Sequence, residues 1–152
     1  MHYPMFRYNL RFLTLFCCIV AFCILFHEVI AKLVQDWATD DNYSHGFLIV
    51  PISLYLAWER RDRLLRAPLA PSSLGLIVLV GGIVLLVAGV LGAELFVTRI
   101  ALLAVLTGGI LYIFGWVHLR LLAFPLALLL LMIPIPAIIF NQITFPLQLS
   151  AS

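Results

Sequence analysis

Charge is what this sequence has least of. Charged residues make up 11% of its 152 residues, hydrophobic residues make up 64%, and the mean hydropathy is +1.16. A soluble domain carries about 25% charged residues, so the composition excludes the soluble class. The net charge is only +2 and the basic residues are grouped, which argues against nucleic acid as a partner. The composition therefore indicates a membrane protein that lies in a lipid bilayer.

Cysteine is also scarce. The three cysteines, Cys17, Cys18 and Cys23, all lie in the first apolar run. They lack the spacing of metal ligands, and an adjacent pair inside a helix is a poor disulfide candidate. We interpret them as small apolar packing residues, and we expect neither a metal nor any other cofactor.

Long apolar runs are abundant, and they predict an all-α, polytopic transmembrane helical bundle. A helix needs about 20 residues to cross roughly 30 Å of hydrocarbon. The five predicted spans cover approximately residues 12–31, 43–62, 74–92, 100–117 and 121–139. The first run is too long for a cleaved signal peptide, so we expect it to be retained as a span after a short basic segment, Met1 to Arg11.

The segments between the spans are short. Lys32 to His45 is predicted to be a polar loop, and Glu94 and Arg99 are interpreted as marking a short outer loop. The link His118–Leu119–Arg120 is so short that the last two spans should form an antiparallel hairpin. The third span contains five glycines, Gly75, Gly81, Gly82, Gly89 and Gly92. Glycines in a span allow the close approach of a neighbouring helix.

The second span has an unusually short apolar part. Gly46 to Trp58 is 13 residues, or about 20 Å of helix. Either the helix continues into the arginines that follow, whose long side chains reach the interface, or its polar end sinks into a cavity lined by protein or water. The sequence leaves both possibilities open. A helix here would place Asn42, His45, Ile49 and Ser53 on one stripe.

Basic residues favour an orientation with the N-terminus in the cytoplasm. Under the positive-inside rule, seven arginines would be cytoplasmic: Arg7, Arg11, Arg60, Arg61, Arg63, Arg66 and Arg120. Only Lys32 and Arg99 would lie outside. The four central arginines, Arg60, Arg61, Arg63 and Arg66, are interpreted as a topology anchor. The polar cluster Asp40 to Gly46 and the C-terminal residues 140–152 would then lie on the outer face.

The polar cluster is the main candidate site. His45 is suited to proton transfer near neutral pH, Asp40 and Asp41 to receiving a basic group, and Tyr43 to bracketing a peptide. The alternative is a structural turn in which Ser44 or Asn42 caps the following helix and Gly46 relieves backbone strain.

The C-terminal part is the second informative segment. Two prolines, Pro134 and Pro136, should end or kink the fifth span. Residues 140–152 mix apolar side chains with Asn, Gln and Ser and carry no charge. They are expected to lie in the interface or to begin another helix.

These motifs resemble the exosortases. The first is Asp41–Asn42–Tyr43–Ser44–His45–Gly46–Phe47–Leu48 with Pro51 and Trp58–Glu59–Arg60–Arg61, and the second is Met132–Ile133–Pro134–Ile135–Pro136 with Pro146 to Ser152. The resemblance implies a multi-pass protein of the bacterial inner membrane, of about eight spans when complete. It also implies a cysteine peptidase or transpeptidase that acts on C-terminal sorting signals. Such signals combine a Pro-Glu-Pro-like motif, a transmembrane helix and a basic tail, in exported proteins linked to exopolysaccharide.

The resemblance also predicts where the chemistry is missing. The family's proposed catalytic Cys, Arg and His are expected beyond Ser152, so this chain should be an N-terminal part that is inactive alone. Its own contribution would be substrate positioning by five residues: Asp41, Asn42, Tyr43, Ser44 and His45. Two alternatives are a non-enzymatic membrane scaffold and a small transporter subunit. A transporter would normally carry ionisable residues inside several spans, and here only His27 and Glu28 come close.

Overall fold

The computed structural model describes residues 4–134 and 137–152, and the side chains of residues 9–134 and 141–152. The all-α prediction is confirmed: within these residues the chain forms helices and no strand, apart from a single bridge between Ala70 and Gly115. The helices are α1 (Pro4–Leu25), α2 (His27–Thr39), α3 (Gly46–Glu59), α4 (Arg61–Arg66), α5 (Ser73–Leu91), α6 (Leu95–Ile113), α7 (Trp116–Leu121), α8 (Ala123–Leu130) and α9 (Ala137–Ala151).

The number of candidate spans is lower than the five predicted. Within the described residues, only α5 and α6 are single helices long and apolar enough to cross a membrane, and α1 with α2 makes a third if that bent pair counts as one span. The other apolar runs are divided into pieces that are too short. Large apolar side chains cover the outward surfaces of α1 and α5, as expected where hydrocarbon replaces water.

The first apolar run bends by 62° between α1 and α2. Phe26 leaves the helical conformation at this point and is completely buried. The bend turns the buried face of α2, formed by Val29, Leu33 and Trp37, toward the core. Residues 32–39, predicted as part of a polar loop, are helical and belong to α2, so that prediction is wrong. The helix continues past the apolar run because an apolar residue recurs at every fourth position.

The second and fifth runs are also interrupted. The 14-residue α3 rises about 21 Å, and the chain turns at Arg60 instead of continuing as one helix.

The predicted 118–120 link is helical and belongs to α7. The chain breaks earlier, at Gly115, whose φ of 99° is left-handed and whose position against the Ala70 carbonyl leaves no space for a Cβ. In the fifth run, α8 ends at Leu130 after eight residues. Of the two prolines predicted to end or kink this run, Pro134 is non-helical and follows the end of α8, and Pro136 lies outside the described residues.

The hairpin of α5 and α6 is the most closely packed unit. Gly75, Gly82 and Gly89 lie on one face of α5 at seven-residue intervals, and a Cβ at any of them would come within 3.0 Å of α6 atoms. The residues they meet, Tyr112, Val105 and Thr98, run in the opposite direction along α6, so the two helices are antiparallel. This confirms the expected close approach for these three glycines but not for Gly81, which faces open space.

Contacts between distant segments divide the bundle into two ends. At the turn end, residues 36–46 meet Arg99 and residues 131–132. At the arginine end, residues 60–72 meet residues 114–121. His45, just before α3, bonds Leu131, just after α8, whereas Arg60, just after α3, bonds Leu121, just before α8. The helices α3 and α8 are therefore antiparallel.

Two adjacent glycines of α6 provide a matched test of the hairpin. A Cβ on Gly108 would lie 2.5 Å from the Leu79 backbone nitrogen, whereas a Cβ on Gly109 would meet nothing within 4 Å. We predict that Gly108→Ala lowers the free energy of unfolding by about 1–3 kcal/mol, and that Gly109→Ala leaves it unchanged or raises it slightly. Reversible unfolding in detergent, followed by circular dichroism, measures both. Equal effects of the two substitutions would contradict the packing.

Candidate functional site

Trp37 is the centre of the turn end. Its indole is 7% exposed, and Nε1–H donates a hydrogen bond of 3.0 Å to the carbonyl oxygen of Met132. The ring also contacts Phe47 edge to face, with the centroids 5.4 Å apart. One side chain of α2 thus joins the start of α3 to the segment that follows α8.

Proline explains why the Met132 carbonyl needs a side-chain donor. A residue at position 136 would normally donate its N–H to the Met132 carbonyl if the helix continued, but proline has no N–H to donate. A buried carbonyl without a partner is unfavourable by several kcal/mol in hydrocarbon. Trp37 supplies the donor for Met132, and His45 supplies one for Leu131 at 3.2 Å.

Gly46 allows the indole to lie in this position. A Cβ at residue 46 would be 2.3 Å from Trp37 Nε1 and Cε2, closer than any two such atoms approach. The backbone of Gly46 is an ordinary helical start after His45. Position 46 therefore requires glycine because a larger side chain would collide with the packed indole. The alternative prediction, that Gly46 relieves backbone strain, is wrong.

The polar cluster forms a turn, residues 40–46, that is held by its own hydrogen bonds. Asp40 Oδ1 accepts from the backbone N–H of Asn42 at 3.0 Å and from its side-chain amide at 3.1 Å, which is an Asx turn. Ser44 Oγ donates to the Asp41 carbonyl at 3.0 Å. The expected capping of α3 by Ser44 or Asn42 is wrong, because α3 begins after His45 without a side-chain cap.

The five predicted positioning residues differ in what they present. Asp41, Asn42, Ser44 and His45 are exposed. Tyr43 is half-buried and packs against the core that contains Trp37 and Met132. Nothing tests their predicted role directly, and it stays a prediction. The structure brings them together on one surface that adjoins the end of α8.

His45 has a defined tautomer in this arrangement. Its Nε2 lies within hydrogen-bond distance of the Leu131 carbonyl oxygen, which can only accept, so Nε2 carries the proton. The two helical members of the predicted stripe follow His45 along α3. Ile49 is half-buried and Ser53 is 3% exposed, so this face of α3 turns toward the core. His45 is therefore a link between the turn and α8 as well as a group capable of proton transfer.

Sequence reasoning missed an ion pair beside the turn. Arg99 lies inside α6, is 4% exposed, and donates a hydrogen bond from Nη2 to Asp36 Oδ2. The prediction that Arg99 marks an outer loop is wrong. The signal was present in the sequence, since Asp36 and Arg99 each interrupt otherwise apolar helical patterns, but their pairing depends on the bend at Phe26.

A cleft of about 190 Å³ adjoins this pair. Glu28 and Lys32 of α2 line one side, and Glu94, Thr98 and Arg99 line the other. The Nε of Arg99 is buried and has no hydrogen-bond partner among the described residues. No group of three or more His, Cys, Asp or Glu side chains in the described part of the chain could hold a metal ion.

At the arginine end the four predicted anchor residues are not equivalent. Arg60 is half-buried, and its Nη1 donates to the Leu121 carbonyl at 2.6 Å. Arg61, Arg63 and Arg66 are exposed. His118 is 6% exposed and bonds the Leu64 carbonyl through Nε2 at 2.9 Å. Their anchoring role stays a prediction, but Arg60 bonds a distant segment, whereas Arg61 contacts its near neighbours Trp58 and Asp62.

Comparison with known families identifies the chain. A family model described as transmembrane exosortase matches residues 37–152. The match begins at Trp37, includes the turn, and continues through α9. The chain belongs to the transmembrane exosortase family. No curated protein and no solved structure matches it. The apolar helices and the family together indicate a multi-pass, exosortase-like membrane protein.

The Trp37 bond can be tested without removing the aromatic ring. Trp37→Phe keeps most of the apolar contact but leaves the Met132 carbonyl without its donor. We predict a loss of about 1–3 kcal/mol in the free energy of unfolding. Gly46→Ala should be at least as harmful, because it displaces the indole, and the double variant should cost less than the sum of the two. Strictly additive losses would contradict the proposed link between these residues.

The ion pair gives a second test. Asp36→Asn leaves a buried guanidinium without its counter-charge, which costs about 3–5 kcal/mol when both partners are buried. Asp36 is partly solvated, with a side chain 38% exposed, so we expect a smaller loss of about 2–3 kcal/mol. Glu28→Gln, in the same cleft but without an ion pair among the described residues, is the control and should be neutral. Unfolding in detergent distinguishes them, and equal stability of D36N and wild type would refute the pairing.

Proposed function

We propose that this chain is the N-terminal transmembrane part of an exosortase, a membrane-embedded cysteine peptidase or transpeptidase. Its substrates are C-terminal sorting signals of exported proteins linked to exopolysaccharide, with a Pro-Glu-Pro-like motif, a transmembrane helix and a basic tail. The observation that carries the proposal is the attachment of the turn to the end of α8 through Trp37 and His45. It places the first exosortase-like segment beside the start of the second: His45 bonds Leu131, directly before Met132, and Trp37, which bonds Met132, packs against Phe47.

The proposed location is the bacterial inner membrane, with the N-terminus in the cytoplasm. The support is the division of charge between the two ends of the bundle. The arginine end carries five arginines: Arg60, Arg61, Arg63, Arg66 and Arg120. The turn end carries five acidic residues: Glu28, Asp36, Asp40, Asp41 and Glu94. The positive-inside rule then favours the arginine end as cytoplasmic and the turn end as the face that meets exported substrates.

In this proposal the turn positions the substrate and does not attack it. Asp41, Asn42 and Ser44 offer exposed polar groups to a peptide backbone, and Tyr43 offers an aromatic edge beside them. The cysteines at 17, 18 and 23 are free and lie on the exposed surface of α1, within the first apolar run, where a thiolate would be unfavourable, and the proposal does not assign the nucleophile to them. The proposal assigns the nucleophile to no residue of the turn.

His45 provides the decisive test of the positioning role. His45→Ala removes the donor to the Leu131 carbonyl and frees the turn from α8. Since misplacement by about 1 Å can lower a rate by about 100-fold, we predict that processing of a reporter sorting signal falls at least tenfold in the full-length protein. Pulse-labelling followed by gel electrophoresis measures the processing rate.

A conservative variant separates positioning from proton transfer. His45→Gln retains an N–H donor near the position of Nε2 but cannot transfer a proton. We expect Gln to restore most of the processing that Ala loses. Wild-type processing in His45→Ala would overturn the positioning role, and loss in both variants at normal protein levels would assign His45 to proton transfer instead.

A further inference from the structure

The surface of α4 and the end of α7 presents arginines that the fold itself does not use. Arg63 and Arg66 are exposed, and their guanidinium groups form no hydrogen bond or ion pair within the described part of the chain. They lie three residues apart, on the same face of α4. Arg120 is exposed at the end of α7, which packs against α4 through the bond between His118 and the Leu64 carbonyl.

Apolar and aromatic side chains lie beside these arginines. Leu65 is 83% exposed and Trp58 is 64% exposed. The Arg61 guanidinium stacks over the Trp58 ring at 4.6 Å from its centroid. A large apolar side chain that projects outward between arginines, next to a tryptophan, is the composition of a segment that lies at the boundary between headgroups and acyl chains.

The balance of charge on this surface is positive. Four arginines, at positions 61, 63, 66 and 120, face two acidic residues, Glu59 and Asp62. Asp62 Oδ1 lies 4.0 Å from Arg61 Nε, with both side chains about half or more exposed, so this pair compensates little. Among the described residues, neither Asp62 nor any other acidic side chain forms an ion pair with Arg63 or Arg66.

We propose that this surface, formed by Arg61, Arg63, Arg66 and Arg120 with Trp58 and Leu65, binds the headgroup of an anionic phospholipid. The guanidinium groups donate to the phosphodiester oxygens in the planar, two-point geometry that arginine favours, while Leu65 and Trp58 enter the acyl region. The anchor arginines then have two roles: Arg60 bonds the end of α7, and the others bind lipid. A topology signal requires charge alone, whereas this surface would select one headgroup over another.

The experiment is native mass spectrometry of the full chain in a non-ionic detergent. Phosphatidylglycerol and phosphatidylcholine with the same acyl chains are titrated, and the ratio of their association constants gives the headgroup preference. Each arginine near an anionic lipid contributes about fivefold, so Arg63→Gln with Arg66→Gln should lower the preference by about 10–30-fold. Arg63→Lys with Arg66→Lys keeps both charges but loses the two-point geometry of the guanidinium groups, so it should retain only part of the preference.

The control removes two positive charges from other exposed positions, by Arg11→Gln with Lys32→Gln, and should leave the preference unchanged. An equal loss in this control would reduce the effect to net charge and overturn the site. An unchanged preference in the Arg63/Arg66 double glutamine variant would also overturn it. Competition by millimolar inorganic phosphate would instead indicate a soluble anion as the ligand and contradict the lipid assignment. Circular dichroism of each variant verifies that the helices are intact.

Discussion

A chain that lies in hydrocarbon must satisfy its backbone polar groups internally, and this constraint is most demanding where α8 ends. The carbonyls of Leu131 and Met132 accept hydrogen bonds from His45 and Trp37, two side chains about 90 positions earlier in the sequence. The indole can reach Met132 only because residue 46 has no side chain. One local requirement of the backbone thus fixes how α2, α3 and α8 meet, and with it the position of the polar turn.

The second determinant of the turn end is the buried charge of α6. Arg99 would be strongly unfavourable in a span without a counter-charge, and Asp36 supplies it from the turn of α2 that precedes Trp37. The two neighbouring residues of α2 therefore connect to different partners, α6 through Asp36 and the end of α8 through Trp37. Together they attach the rigid glycine-packed hairpin of α5 and α6 to the surface that carries the exosortase motif.

Sequence patterns predicted the helical class, the family and the candidate turn, because apolar length and a dense polar motif are local properties. They predicted the α5–α6 contact through Gly75, Gly82 and Gly89, but could not distinguish these from Gly81, since which face of a helix is covered depends on its neighbour. The bend at Phe26, the break at Gly115 and the pairing of Asp36 with Arg99 depend on tertiary contacts. For this reason the five uninterrupted spans, the loop at 32–39 and the outer-loop position of Arg99 were wrong.

The central claim is that the turn faces the sorting signal, and site-specific photo-crosslinking tests it most directly. A photoreactive amino acid is incorporated at Ser44 in the full-length protein, and the same residue at Arg63, at the opposite end of the bundle, is the matched control. The account predicts that irradiation in cells joins a tagged sorting-signal protein to position 44 and leaves position 63 unlinked. Absence of a product at position 44 with normal processing, or equal products at both positions, would contradict it.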